Sequence, residues 1–193
     1  MAHISAIGAG MYSDLAIAVP LTDPTFGALD SAAEFQALFA SEIQNIGGTK
    51  AANTYIRVKN IREFPGMGTP PNIVNVPSYG KSTSSQIQGQ ADAPSMELTL
   101  NFIGTEWAKT ASLLGDMVGD GRQYVFRFTL LNTEPSGGYA STAGGLGTAT
   151  GGNSQFYWVG KLDAMTVNPQ LTDANTMTLT LTIQSAFFGA YTN

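Results

Sequence analysis

Apolar and polar residues alternate with period two through Met96-Glu97-Leu98-Thr99-Leu100-Asn101-Phe102, and again through Met177-Thr178-Leu179-Thr180-Leu181-Thr182-Ile183. Successive side chains leave a strand by opposite faces, so each stretch predicts a β-strand with one buried and one polar face. In the later strand the polar face is Thr178, Thr180, Thr182 and Gln184, a row without charge. Such a row suits a sheet whose outer side meets another surface or lines a passage. Thr54 to Phe64 predicts a first long strand, with Ile56 and Val58 on one side, Arg57 and Lys59 on the other, and a bulge at Asn60-Ile61. Arg122 to Leu131 predicts another strand. Phe156 to Val167 and Thr176 to Ser185 predict a hairpin that turns through Asn168-Pro169 and Asp173-Ala174-Asn175. Within it, Phe156 and Trp158 share one side and Tyr157 takes the other, which core packing explains better than stacking on a ligand. Leu15 to Val19 alternates large and small residues and reads as a short strand or extended arm ending at Pro20.

Helical spacing occurs twice. Ser31-Ala32-Ala33-Glu34 fits a capping box and precedes Phe35, Leu38, Phe39 and Ile43, so a helix is expected over about 31–45, stopped by Gly47-Gly48. A second is expected to open at Thr105, with Trp107, Ala111, Leu114 and Val118 on one stripe, and to end at Gly119-Asp120-Gly121. Two stretches lack periodicity. Pro65 to Pro94 is rich in Pro, Gly, Ser, Gln and Asn and predicts a long loop, functional or mobile. Glu134 to Gln155, with seven glycines, predicts a flexible loop. The expected fold is mainly β, a β-sandwich or partial barrel with one or two flanking helices. It forms a single domain over 1–193 with an extended N-terminal arm at 1–30.

Composition changes the picture by lowering the charge. Only 12% of residues are charged, about half the usual share, and 22 glycines leave much of the surface small and neutral. Such surface is easily buried against a partner, so self-association is expected. The few charges are segregated. Residues 1–49 hold Asp14, Asp23, Asp30, Glu34 and Glu42 without Lys or Arg, and Lys50, Arg57, Lys59 and Arg62 follow. The two blocks are ordinary solvated faces, or they meet across a subunit contact, with Arg57, Lys59, Arg62, Asp14 and Asp23 as the candidates. A pI near 4.6 offers no cationic footprint for nucleic acid. The absence of cysteine removes disulfides and thiolate metal sites, and no window is long and apolar enough for a membrane span or reads as a signal peptide.

Chemical motifs are matched only by chance. Gly80-Lys81-Ser82 lacks the leading glycine of a phosphate-binding loop, because Asn75 stands at that place. Ser78 to Lys81 has the spacing of serine β-lactamases without their companion triplets. Gly8-Ala9-Gly10 has Ser13 where a dinucleotide fingerprint needs glycine, and Asp116 with Asp120 does not reproduce a calcium loop. His3 is the sole histidine, which excludes a Ser-His-Asp arrangement and a multi-histidine metal site within one chain. No catalytic residue, metal or cofactor is expected.

Pro77-Ser78-Tyr79-Gly80 sits in the long polar loop, and Gly89-Gln90-Ala91-Asp92-Ala93-Pro94 runs into a strand. A helix opens at Thr105-Glu106-Trp107, and a terminal hairpin runs from Gly160-Lys161-Leu162 to Gln184-Ser185. In this order, over about 50–190, the chain resembles the major tail tube proteins of long, non-contractile-tailed bacteriophages, most nearly those of flagellum-targeting Chi-like phages. The resemblance implies a structural virion protein, assembled in the host cytoplasm, that forms homo-hexameric rings stacked into a tube for DNA ejection. The loop 65–93, with Pro77 and Tyr79, would be the stacking element, loose in the monomer and ordered against the next ring. Tail tip, tape measure and tail terminator proteins would be the further partners. About 24 strands at roughly 4.8 Å spacing give a bore on the order of 40 Å, through which double-stranded DNA passes without specific binding. Glu97, Asp163, Thr178, Thr180 and Thr182 are the candidate lumen residues, although either sheet face could turn inward. The competing expectations are a monomeric carbohydrate-binding or adhesin-like β-sandwich that uses Tyr139 and the glycine-rich loop, and a related tube of a secretion machine or contractile tail.

Overall fold

The computed structural model describes residues 13–19, 29–68, 71–91, 95–130 and 154–192. The fold is mainly β, with two short helices. Its strands are β1 (Asp14–Ala18), β2 (Ser41–Glu42), β3 (Thr54–Val58), β4 (Ile61–Glu63), β5 (Pro71–Val76), β6 (Ser85–Ala91), β7 (Met96–Asn101), β8 (Tyr124–Leu130), β9 (Ser154–Asn168), β10 (Thr176–Ile183) and β11 (Phe188–Thr192). The helices are α1 (Ala32–Ala37) and α2 (Leu113–Met117). Nine strands form one sheet in the order β2-β3-β1-β8-β9-β10-β7-β4, with β11 on β9, while β5 and β6 make a separate hairpin. Pairing is antiparallel except between β2 and β3.

The predicted alternation is what curls this sheet. Met96, Leu98 and Leu100 of β7, Met177, Leu179 and Leu181 of β10, and partners from β1, β3, β8 and β9 all enter one core cluster. The sheet therefore wraps around that cluster. The strand expected over 54–64 is interrupted: Asn60 adopts φ 63, a left-handed value asparagine tolerates better than most residues. The chain before the kink pairs with β1, and the chain after it pairs with β7 at the other end of the sheet. One bent stretch thus supplies β4 at one end of the path and β3, next to β2, at the other, which brings the two ends round toward closure.

The reverse face of β1, β3, β8 and the first half of β9 is also covered. Ala16, Ala18, Tyr55, Val125, Tyr157 and Val159 form a second cluster with Phe35 of α1 and Phe39 just after it, and Phe188 and Tyr191 from β11 pack against it. The small side of β1, Ala16 and Ala18, lets this cover lie close. Phe35 stacks on Tyr157 with centroids 5.0 Å apart. The segment read as a short strand or extended arm ending at Pro20 is therefore a strand in the middle of the sheet, buried on both faces.

Both helices are shorter than their spacing predicts. The capping box forms at Ser31 and Glu34, but α1 ends at Ala37 because the chain beyond joins the sheet. The amides of Ala40 and Ser41 donate to the Asn53 carbonyl, and that of Ile43 donates to the Tyr55 carbonyl. A helix of one or two turns gains too little to compete with those bonds. The second helix is capped by Ser112 rather than Thr105, since Thr110 at φ 65 breaks any helix begun earlier. Trp107, Leu114 and Val118 are buried as expected, whereas Ala111 is exposed. Asn45 ties this region to the chain before β3, with Nδ2 2.7 Å from the Glu106 carbonyl and Oδ1 accepting from the Leu114 amide at 2.9 Å.

Candidate assembly surfaces

The reverse face of β7, β10 and the second half of β9 is exposed at Glu97, Ala164 and Thr166. Register lines its residues up in rows across the sheet: Thr99, Thr178 and Thr166; Glu97, Thr180 and Ala164; Thr182 and Lys161. The threonines of β10 are half-buried, with the Thr182 hydroxyl oxygen itself buried and unpartnered, and Glu97 and Asp163 are exposed. Asp163 is the extra residue where the β9–β10 register shifts between Ala164 and Leu162. Four of the five predicted lumen residues, Glu97, Thr178, Thr180 and Thr182, thus share one surface, and Asp163 stands at its bulge. It is mostly hydroxyl, with Lys161 offsetting one of two carboxylates.

This surface is bounded by two open edges. Strand β8 stops pairing with β9 at Gly160, after which the Gly119 amide meets the Leu162 carbonyl at 2.8 Å. From 163 to 168 no described strand lies beside β9 on that side, and none lies beyond β4 at the opposite edge. The loop joining β9 to β10 is held by Asn175 Oδ1, which accepts from the Gln170 amide at 2.9 Å, and it presents Leu171 fully exposed.

The third surface is the β5–β6 hairpin, where the sequence predicts only a loop. Its turn is closed by the Lys81 amide on the Ser78 carbonyl, with Gly80 at φ 79, and Tyr79 stands fully exposed at the tip beside exposed Pro77. Val74 pairs with Ile87 and Val76 with Ser85, so three apolar side chains share one face. Ile87 is 56% exposed and Val74 48%. Ile73 and Asn75 lie on the other face, opposite Gln88 and Gln86. The alternation in Ile73 to Val76 and Ser85 to Gln88 was the available signal, masked by the surrounding Pro, Ser and Gly.

The charged candidates separate. Lys59 is exposed, and Arg62 approaches Asp173 at 3.9 Å on the surface. Arg57 is buried, and its Nε donates to Glu42 at 3.0 Å, so here the acidic and basic blocks meet inside one chain. Asp14 is buried beside them, and burial pushes its carboxyl up to about 6 against the pull of Arg127 and Arg57. Arg127, passed over in the sequence as part of a strand, lies 4.6 Å from the centroid of Phe39 and 4.8 Å from that of Tyr55. Asp23, Tyr139 and nearly all of the glycine-rich stretch 134–155 lie outside the described residues. Among the described residues no group of three or more His, Cys, Asp or Glu side chains is placed to hold a metal, and no helix is long and apolar enough to cross a membrane.

No protein-family model matches the chain, and no curated protein matches it. Among solved structures it is similar to a chain of the PVC sheath–tube complex of an extracellular contractile injection system in its extended state. That match has 10% identity and a TM-score of 0.42, and covers 82% of this chain and 97% of the other. It is also similar to the tube-terminating cap of the anti-feeding prophage, at 12% identity and a TM-score of 0.39, over 86% of this chain and 97% of that one.

Proposed function

We propose that the protein is a structural subunit that joins copies of itself edge to edge into rings and stacks the rings into a tube. The observation that carries this reading is the four-stranded run β9-β10-β7-β4, open along 163–168 of β9 and beyond β4, with Glu97, Ala164 and Thr166 exposed on its hydroxyl-rich face. Neighbours in that run are all antiparallel, so its two outer strands are antiparallel to each other. A second copy placed β4 to β9 therefore continues the alternation without a fault. Unpaired edges recruit strands, and this one is protected by few charges: residues 163–168 contain only Asp163.

In such a ring the inner core is already filled and the cover of α1 and β11 lies on another part of the sheet, which leaves the threonine rows for the bore. Six copies would give about 24 strands and a passage on the order of 40 Å. A lining of hydroxyls with two carboxylates and one ammonium per copy holds a passing polyanion weakly, as suits a conduit for DNA in a phage-like tail. The β5–β6 hairpin would be the stacking element. A lone two-stranded sheet is marginal in water, and burying Val74, Val76 and Ile87 against the next ring would stabilise both hairpin and tube.

Negative-stain microscopy of concentrated purified protein is expected to give hollow tubes of uniform width. Thr166→Lys with Asn168→Lys on the open edge should abolish them while leaving the circular dichroism of the protomer unchanged. A wild-type particle that stays single at high concentration would overturn the reading. In an assembled tail, Glu97→Lys with Asp163→Lys should leave the tube intact and slow DNA ejection.

A further inference from the structure

We propose that Asp14 is a proton-operated fastening for the outer cover of the sheet: with its carboxyl neutral, α1 and β2 are held tightly, and with it ionised they loosen. The cluster is built by register. Asp14 opposes Thr129 of β8, and two residues on, on the same face, Ala16 lies between Arg57 of β3 and Arg127 of β8. Those two cations hold the cover. Arg57 grips Glu42 of β2, and Arg127 carries the Phe39 ring that follows α1. The other charged or titratable groups on this side are Tyr55 of β3 and the exposed Lys59 just after it, Tyr157 of β9 and Tyr191 of β11, while Glu34 of α1 is exposed and tied to its own N-terminus.

Asp14 is 4% exposed, and its Oδ2 has no hydrogen-bond donor. Glu42 Oε2, Arg127 Nε and Nη2, and Thr129 Oγ1 are likewise buried and unpartnered. A carboxylate here loses its hydration without gaining donors, and it draws on the same two cations that serve Glu42 and Phe39. Burial raises the Asp14 carboxyl to about 6, Arg127 and Arg57 oppose the rise, and Glu42 adds to it. Because the folded value lies above the unfolded one, the folded protein holds this proton more tightly. The resulting stabilisation is full below about pH 4 and is lost as the pH rises through 6.

The test compares the full-length wild type with Asp14→Asn, which keeps the shape and is permanently neutral. The unfolding constant of the wild type relative to the variant should rise about a hundredfold between pH 4 and pH 7.5. Hydrogen exchange, corrected for intrinsic rates, should find the amides of Phe35, Leu38 and Phe39 opening more often at pH 7.5 than at pH 5.5 in the wild type only. Parallel stability profiles, or the same pH response of these amides in both proteins, would overturn the proposal. Carbon-13 titration of the wild-type carboxyls needs no variant: a midpoint near 6 for Asp14 supports the fastening, and one near 4 removes it.

Discussion

At the scale of single residues, Gly160 and Phe35 carry the most legible consequences. Gly160 is the residue of β9 that pairs with both β8 and β10, and a Cβ there would fall inside the contact distance of the Thr182 carbonyl and press on Phe126. Gly160→Ala should therefore destabilise by about 2–3 kcal/mol, read as a lower denaturant midpoint at unchanged slope. Phe35 is fully buried between Tyr157 and Phe188 on the outer face. Phe35→Ala should cost about 3–5 kcal/mol and loosen β11 along with α1. Ser31→Ala removes only an exposed cap, so a loss near 1 kcal/mol is expected from the same measurement.

At the scale of elements, strands whose faces differ were readable, and elements decided by distant chain were not. Met96 to Asn101 and Thr176 to Ile183 alternate in the structure as they do in the sequence, because one face meets the core and the other does not. The helix expected to 45 stops at Ala37 because carbonyls of Asn53 and Tyr55 compete for its next amides, and local spacing carries no record of them. Arg57 reads as a surface residue until Glu42, Asp14 and Tyr55 are brought around it. The open edge at 163–168 was hidden for the same reason, since it depends on where β8 ends. The β5–β6 hairpin was missed because neither of its faces enters the core, so its pattern is short and flanked by proline. Its exposure sets a prediction: Val74→Ser with Ile87→Ser should change protomer stability by less than about 0.5 kcal/mol. The same pair should raise the concentration needed for tubes several-fold, followed by light scattering.

At the scale of the whole molecule, the charges best able to respond to salt are spent inside the protomer. Arg57 and Arg127 are buried, and Glu42 and Asp14 are beside them, so in the proposed tube contacts between copies would rest on strand edges and on the apolar face of the hairpin. Raising sodium chloride should leave assembly nearly unchanged and adding sulfate should strengthen it, both measured by sedimentation; collapse of the tubes in moderate salt would point instead to Lys59 and Arg62. The two open edges carry a further consequence. An edge that accepts a different edge has no natural stopping point, so in the proposed ring the chain of copies would end only when curvature brings the last one round to the first. Until then every arc keeps two adhesive tips. On that assembly, incomplete arcs, rather than free protomers or finished rings, would be the species most prone to stray pairing, and their lifetime should govern the yield of well-formed particles.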